Sequence, residues 1–259
     1  MKSVIIQKKE QKDYSDATYI EYFKKGWKRP YPKSLIGDFI DYHQLNKAIS
    51  MLPFKIKGLK VLSINCGDGF EAEYLYKKGA EVTVSDISPE AVKAAKRRCK
   101  GLKGRPADSE RLPFKDNNFD LVLVRDGLHH LPHPFKGMLE MNRVGRLGFI
   151  MIEAQKSFVT NLLIKLGFAL EYEVSGNYVY RFTREEIKDR MSKMGISRFS
   201  IYTLWCYHID FLSKYIYPIF NKAIWLCFFS FIFYLFNYIF GYYGNSMIVV
   251  ALKDKLNDK

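Results

Sequence analysis

The order of apolar and polar segments in the middle of the chain predicts strands that alternate with helices. Short apolar runs have the length of buried strands, and longer segments with apolar residues at helical spacing follow them. Such alternation is typical of a parallel sheet with helices on both faces. The predicted elements are strands at 59–65, 80–86, 103–107, 119–125 and 147–153, and helices at 69–78, 88–100 and 134–144.

The segments on either side of this core are also predicted to be regular. Residues 1–57 are polar and aromatic, and their apolar spacing predicts short helices, the best defined at 34–51. We interpret this part as a helical lid or extension of the domain. After the core, the pattern predicts two helices within 154–195 and two strands, at 197–207 and 246–252, that close the sheet.

The longest apolar segment lies between the last two predicted strands. From Ala223 to Gly244 there are 22 residues without a charge, and about 20 apolar residues can span a bilayer. One crossing would separate the strand at 246–252 from its sheet, and two full crossings need about 40 residues. We therefore expect an aromatic helical hairpin at about 211–245 that lies on one leaflet of a membrane, on the protein core or against a second copy of the chain.

Composition and charge indicate a globular chain with a basic surface. The chain has 259 residues, of which 26% are charged and 48% hydrophobic, which fits one elaborated domain. The formal net charge is +14, and residues 1–60 alone contain 13 Lys or Arg against 6 Asp or Glu. Such a surface attracts anionic membranes or other polyanions, although solubility alone is the alternative explanation. The basic residues are dispersed, so no nucleic acid partner is expected.

Cysteine usage and the N-terminus bear on localisation. The four cysteines form no C-x-x-C pair and show no metal-ligand spacing, so we expect a reducing compartment and no metal site. The first ten residues are too polar for a signal peptide. These features predict a cytoplasmic protein, attached peripherally to the inner face of the membrane if the apolar insertion binds lipid.

A glycine-rich turn follows the first predicted strand, and an acidic residue ends the second. The turn contains Asn65, Gly67 and Gly69, and Asp86 stands 17 residues after Gly69. Glycine lets the backbone approach a ligand where a Cβ would clash, and the next helix presents its N-terminal N–H groups there. A carboxylate at the end of the second strand can accept hydrogen bonds from ribose hydroxyls. The pattern predicts a nucleoside pocket, although the spacing is not that of a dinucleotide fingerprint.

Four segments in this order resemble the class I S-adenosylmethionine-dependent methyltransferases, and most of all the broad group that includes the ubiquinone and menaquinone methyltransferases. The resemblance implies an α/β, Rossmann-like sheet of seven strands in the order 3-2-1-4-5-7-6, with strand seven antiparallel. By motif it covers 58–155, the expected cofactor-binding core, and 156–259 would continue the same domain. The four matching segments are 61–69, 82–88, 107–114 and 119–132.

The resemblance implies S-adenosylmethionine as the cofactor and assigns residues to it. Gly67 and Gly69 would hold its methionine end, with Asn65 beside them. Asp86 would bind the ribose hydroxyls, and Ile87 would pack on the adenine.

The resemblance assigns the remaining cofactor contacts to the next two strand ends. Asp108 would accept a hydrogen bond from the adenine amino group, and the N–H of Ser109 would meet the ring. The backbone carbonyl near Arg125 would meet the ammonium group of the cofactor.

Two positions depart from the pattern of these methyltransferases. Ser63 stands where the family usually has an acid, and Asn65 stands where it usually has glycine. Asparagine tolerates positive φ better than most residues, so the turn can survive. The missing acid removes a partner of the ammonium group, which either lowers the affinity for the cofactor or is compensated by a tyrosine or acid of the N-terminal segment.

The chemistry implied by the resemblance is attack by a nucleophile on the sulfonium methyl group. Catalysis then consists largely of positioning, and an oxygen nucleophile would also need a base. His129 and His130 follow the fourth strand and titrate near neutral pH, so either is a candidate base; the alternative is that they orient the loop.

Three functions remain open at this point. The first is methyl transfer to a hydrophobic or membrane-presented acceptor, such as a quinone, a lipid-linked glycan or another lipid. The second is a soluble methyltransferase for a small molecule or sugar, in which the insertion forms a hydrophobic wall or a homodimer contact. The third is a cofactor-binding scaffold without catalysis, suggested by Ser63 and Asn65.

Overall fold

The computed structural model describes residues 3–25, 35–167, 170–172, 177–206 and 222–253. Its strands are β1 (Lys60–Ile64), β2 (Glu81–Ser85), β3 (Lys103–Gly104), β4 (Phe119–Arg125), β5 (Gly145–Ala154), β6 (Arg198–Leu204) and β7 (Ser246–Leu252). Within the described residues these strands form one sheet in the order β3-β2-β1-β4-β5-β7-β6. The pairs among β1 to β5 are parallel, whereas β7 is antiparallel to both β5 and β6. The predicted fold class and strand order are confirmed.

The helices of the core lie where the apolar spacing predicts them, and the helix that follows β2 has a capping serine at its start. Ser88 accepts a hydrogen bond from the N–H of Ala91, and Pro89 occupies the first turn of its helix. The helices are α1 (Val4–Lys24), α2 (Leu35–Ser50), α3 (Phe70–Lys77), α4 (Pro89–Arg98), α5 (Pro134–Val144), α6 (Phe158–Lys165), α7 (Arg184–Lys193) and α8 (Ala223–Phe240).

The N-terminal segment differs from the prediction of short helices. Before α2 it forms α1, a single helix of 21 residues. Tertiary packing explains this length, because Tyr19 and Tyr22 are buried together with Ala91 and Ala94 of α4. An isolated helix with so weak an apolar face would be only marginally stable in water, whereas packing against α4 stabilises it.

The third strand is also shorter than predicted. Only Lys103 and Gly104 pair with β2, although the apolar run suggested a strand at 103–107. Proline has no N–H to donate to a ladder, so Pro106 ends the pairing early.

Two hydrophobic cores lie on opposite faces of the sheet. Successive residues of β1 alternate between them: Val61 belongs to the core that contains α2 and α3, whereas Leu62 belongs to the core that contains α5 and α7. Both faces of the parallel strands are therefore covered. The carboxyl ends of β1, β2 and β4 meet at one edge of the sheet, which positions the loops that carry the predicted site residues.

The apolar insertion is described in its second half only. The first part of the hairpin predicted at 211–245 falls within 207–221, outside the described residues. The second half is α8, and the segment Ala223–Tyr243 is long and apolar enough to cross a membrane by length and composition. Within α8, only Phe233 is buried. The insertion therefore presents an apolar surface that the described part of the protein leaves largely uncovered.

Candidate functional site

The turn after β1 has the left-handed backbone conformation that favours glycine, although asparagine occupies position 65. Asn65, Gly67 and Gly69 have positive φ angles of 50°, 48° and 77°. The side chain of Asn65 adds two contacts that glycine cannot make. Its Nδ2 donates to the carbonyl oxygen of Gly127 at 2.7 Å, and its Oδ1 accepts from Oγ of Ser109. The asparagine therefore ties together the loops that follow β1, β3 and β4.

Asp86 lies directly beside this turn, as the sequence predicted. Its Oδ2 accepts a hydrogen bond from the N–H of Gly67 at 3.1 Å, and its Oδ1 accepts from the N–H of Ser88 at 2.9 Å. Burial raises the pKa of Asp86, although these two amides partly oppose the rise. Each carboxylate oxygen retains capacity for a second hydrogen bond, so the group can still receive two hydroxyls. Ile87, beside it, is half-buried.

Asp108 has a partner that the sequence did not reveal. Nζ of Lys8, in α1, lies 2.6 Å from Oδ2 of Asp108 and 2.8 Å from Oε2 of Glu110. The other oxygen of Asp108 accepts from the N–H of Glu110 at 2.9 Å. Asp108 is therefore at the predicted position, but α1 already contacts it.

The same helix also reaches the end of β2. Oδ1 of Asp16 accepts a hydrogen bond from Oγ of Ser88 at 2.5 Å. A Cβ placed on Gly67 would come within 3.0 Å of the hydroxyl of Tyr19. Because α1 contacts the loops after β1, β2 and β3, it covers one side of the candidate site, as a lid would. No motif marks these residues, and only the tertiary structure brings them to the strand ends.

A buried carboxylate stands next to the position where the expected acid is missing. Oγ of Ser63 donates to Oε1 of Glu71, in the first turn of α3, at 3.0 Å. Burial raises the pKa of Glu71 to about 7, against the opposing charge of Arg125. An acid therefore lies directly beside Ser63, and it comes from α3. Its signal in the sequence is weak but present, because Glu71 stands between two apolar residues, Phe70 and Ala72.

Arg125 ends β4 with its guanidinium group mostly buried. Nη1 of Arg125 lies 2.9 Å from Oδ1 of Asp41, in α2, and Nε lies 3.9 Å from Oε2 of Glu71. Within the described residues, Nε has no hydrogen-bond partner. Glu71 and Arg125 therefore place one group of each charge side by side at the carboxyl ends of β1 and β4.

The two candidate histidines differ in their surroundings. His129 is buried, and its Nδ1 lies 2.7 Å from Oε2 of Glu153 in β5. Oε1 of Glu153 accepts hydrogen bonds from the N–H groups of Gly127 and Leu128 at 2.9 and 2.7 Å. Burial opposes ionisation of Glu153, but His129 and the two amides together lower its pKa. Glu153 therefore holds the whole loop after β4.

His130 is the more accessible of the pair. It is half-buried, and its ring centroid lies 4.1 Å from that of His129. No motif marks Glu153 in the sequence, although it is the single acid in the otherwise apolar run 147–154.

Replacing Glu71 by glutamine is expected to stabilise the fold above neutral pH. The folded-state pKa of about 7 exceeds the ordinary value of 4.5, so the stability contributed by this group is lost as pH rises through that interval. Glu71→Gln should raise the free energy of unfolding at pH 8 by ~1–3 kcal/mol, with the gain disappearing towards pH 4.5.

Denaturant unfolding at several pH values measures this effect. The matched control is Glu81→Gln, at the exposed start of β2. A gain that is independent of pH, or that the control shares, would contradict the assignment of the raised pKa to Glu71.

Comparison with known proteins agrees with this geometry. Residues 62–152 match the family model described as a methyltransferase domain. The demethylmenaquinone methyltransferase of Renibacterium salmoninarum is 33% identical over 105 residues, which are 40% of this chain and 44% of that protein. The phthiotriol/phenolphthiotriol dimycocerosates methyltransferase 1 of Mycobacterium ulcerans is 36% identical over 98 residues, 36% of each chain. The chain matches between 36% and 62% of the length of such curated relatives.

Solved structures show the same fold at low sequence identity. The magnesium protoporphyrin IX methyltransferase of Synechocystis, solved with bound S-adenosylhomocysteine, superposes with a TM-score of 0.62 at 17% identity, over 94% of this chain and 98% of that one. A methyltransferase of Thermotoga maritima gives 0.59 at 19% identity, over 85% and 92%. Residues 62–152 are therefore similar to methyltransferase domains, and the chain shares the fold of these solved methyltransferases. S-adenosylmethionine is the cofactor that the domain match indicates.

Proposed function

We propose that the protein transfers a methyl group from S-adenosylmethionine to a hydrophobic or membrane-presented acceptor, such as a quinone, a lipid-linked glycan or another lipid. The names of two relatives, which refer to demethylmenaquinone and to phthiotriol dimycocerosates, support this acceptor class. The observation that carries it is the exposed apolar surface of α8, which is joined through α2 to the candidate site.

The residues at the strand ends fit the proposed cofactor. Asp86 has the burial and spare hydrogen-bonding capacity that two ribose hydroxyls require. Glu71 and the unpartnered Nε of Arg125 suit the ammonium and carboxylate groups of the methionine end. When bound, S-adenosylmethionine supplies a methyl group on a sulfonium centre that needs no further activation. The main task of the protein is then to position the acceptor.

Methyl transfer to an acceptor hydroxyl, or to a ring carbon of an acceptor hydroquinone, replaces one hydrogen by the methyl group, so one proton must leave in each turnover. We assign His130 to take this proton, because it is more accessible than its neighbour. His129 is held by Glu153 at Nδ1 and supports the loop that carries His130. The proposal thus gives the two histidines different tasks, one as base and one as positioning residue.

The helix α8 is suited to lie on one leaflet of a membrane. One of its faces packs on α2, where the ring of Phe39 contacts Phe229, Phe233 and Tyr234. The next strand, β7, lies between β5 and β6, so a complete crossing at this point would separate it from its own sheet. The opposite face exposes large apolar side chains, including Ile224, Phe228, Phe231, Leu235, Tyr238 and Ile239.

The energy of burying this face favours lipid contact. Removing about 400 Å² of apolar surface from water stabilises the membrane-bound protein by roughly 10 kcal/mol, before the costs of association are subtracted. Tyrosine side chains, with apolar rings and polar hydroxyls, are suited to the membrane interface. The net charge of +14 adds attraction to anionic lipids. Cytoplasmic location with peripheral attachment to the inner membrane face is part of this proposal.

Cofactor binding is expected to depend on Asp86. Calorimetric titration with S-adenosylmethionine should show binding to the wild type and at least a tenfold loss in Asp86→Ala, because two charge-assisted hydrogen bonds are removed. Asp120→Ala, at a carboxylate of β4 that pairs with Arg146, is the control. Wild-type protein that binds neither S-adenosylmethionine nor S-adenosylhomocysteine would overturn the proposed function.

Methyl transfer is expected to depend on His130. With methyl-labelled cofactor and reduced demethylmenaquinone in detergent micelles, His130→Gln should lower kcat by ~10²- to 10⁴-fold without changing cofactor affinity. His133→Gln, whose side chain is exposed at the start of α5, should retain the wild-type rate. A full rate in His130→Gln would show that it is not the base.

Vesicle binding is expected to depend on the exposed face of α8. Wild-type protein should sediment with vesicles that contain phosphatidylglycerol, and the double variant Phe228→Glu/Phe231→Glu should lose at least tenfold in affinity, because charge is costly in the hydrocarbon region. Leu139→Glu, at a site 54% exposed in α5, is the control. If the wild-type protein is dimeric and does not bind the vesicles, the alternative of a soluble methyltransferase is favoured, with a second copy of the chain covering α8.

A further inference from the structure

The helix α1 crosses three of the loops to which the cofactor is assigned, and its contacts follow one order. Lys8 contacts Asp108 in the loop after β3. Asp16 contacts Ser88 in the loop after β2, and the hydroxyl of Tyr19 lies beside the turn after β1. These loops are assigned to the adenine, the ribose and the methionine end of the cofactor, respectively. The helix therefore runs lengthwise over the candidate cofactor site.

Helical spacing places these contacts on one face of α1. An α-helix has ~3.6 residues per turn and rises ~1.5 Å per residue, so Lys8 and Tyr19 lie about three turns and about 16 Å apart along it. Asp16 lies roughly one turn before Tyr19 and shares that face. While α1 stays in this position, it covers the side of the site that it crosses.

The two halves of α1 are held by different forces. Both of its buried residues, Tyr19 and Tyr22, lie in the second half and pack on α4. In the first half, Ile5 and Ile6 are exposed, and Lys8 fastens the helix to the loop after β3. The second half is therefore an apolar anchor, whereas an ion-pair cluster holds the first half.

The partners of Lys8 are themselves fixed. Nζ of Lys8 lies 2.6 Å from Oδ2 of Asp108 and 2.8 Å from Oε2 of Glu110, and the lysine side chain is 21% exposed. Asp108 accepts a hydrogen bond from the N–H of Glu110 at 2.9 Å, and Glu110 accepts one from the N–H of His133 at 2.6 Å. Burial alone would lower the pKa of Lys8, but the two carboxylates raise it overall. Lys8 is therefore charged at neutral pH.

This ion-pair cluster is compatible with an occupied site. Each carboxylate oxygen can accept more than one hydrogen bond, so Oδ2 of Asp108 can receive the adenine amino group while it still binds Lys8. The contact joins two parts of the protein and does not require the cofactor. It can therefore hold α1 closed both before and after the cofactor binds.

We propose that α1 is a gate for cofactor exchange and that Lys8 is its latch, meaning the contact that must break before the first half of α1 can open. S-adenosylmethionine would enter, and S-adenosylhomocysteine would leave, only in the open state. The apolar second half stays on α4 as the fixed end. This inference rests on the proposed function, and it names a control over the same site.

A latch of this kind acts on rates and not on affinity. Binding and release both pass through the open state, and the latch lowers the population of that state equally in the free and the loaded protein. Loss of the latch should therefore speed association and dissociation by the same factor. A residue that binds the cofactor directly would instead change the dissociation constant.

Surface plasmon resonance with the immobilised full chain and S-adenosylhomocysteine measures both rate constants. Lys8→Met should raise both by about two- to thirtyfold, the range expected for losing two partly exposed ion pairs. The dissociation constant should stay within about twofold of the wild-type value. Lys9→Met removes the same charge from the next, exposed position of α1 and should leave both rate constants unchanged.

Salt provides a second measurement that needs no variant. Raising the ionic strength from about 0.05 M to about 0.5 M screens partly exposed ion pairs, so both wild-type rate constants should increase. Those of Lys8→Met should change much less, because its latch is already absent.

Three outcomes would overturn the inference. Unchanged rate constants in folded Lys8→Met would show that Lys8 does not limit exchange, and salt-independent wild-type rate constants would show the same without the variant. A tenfold change in the dissociation constant of Lys8→Met would show that Lys8 binds the cofactor, if affinity falls, or that adenine must displace it, if affinity rises. Failure of the proposed function is seen separately, as wild-type protein that does not bind S-adenosylhomocysteine at equilibrium.

Discussion

The candidate site depends on one buried carboxylate, that of Glu153 at the end of β5. It binds two backbone N–H groups and the ring of His129, so it fixes the loop that follows β4. A carboxylate that is fully buried is stable only when its partners are complete, which makes this loop a rigid part of the fold. Asn65 reaches the same loop from β1. The turn after β1 and the loop with the two histidines are therefore positioned by one network.

The N-terminal helices α1 and α2 contact the loops at the strand ends and complete the rim of the candidate site. Lys8 and Asp16 of α1 contact the loops after β3 and β2, and Asp41 of α2 pairs with Arg125 at the end of β4. These contacts are between opposite charges or strong hydrogen-bonding groups at the rim of the site, where ligand binding and helix position can influence each other. Because Lys8 already engages Asp108, occupation of that position by an adenine ring would require the two groups to share or exchange partners.

The same N-terminal segment links the cofactor side of the molecule to its apolar surface. On α2, Phe39 packs on α8 and Asp41, two residues later, contacts Arg125. A lipid-bound α8 would therefore hold the site close to the membrane surface. Under the proposed function, a hydrophobic acceptor would then not need to leave the bilayer completely, since only its reacting group would have to reach His130.

The sequence by itself determined the strands, apart from the length of β3, and the turn that ends at Gly69, because local periodicity acts over a few neighbouring positions. The order of the strands followed only from the resemblance to known methyltransferases. The sequence also located Asp86 and the loop with His129 and His130, since these follow strands directly. It did not determine the length of α1, the partner of Asp108 or the acid beside Ser63. Those features depend on contacts such as Lys8 with Asp108, between residues far apart in the chain, and only the tertiary structure decides them, because packing and not local pattern selects which buried charges meet.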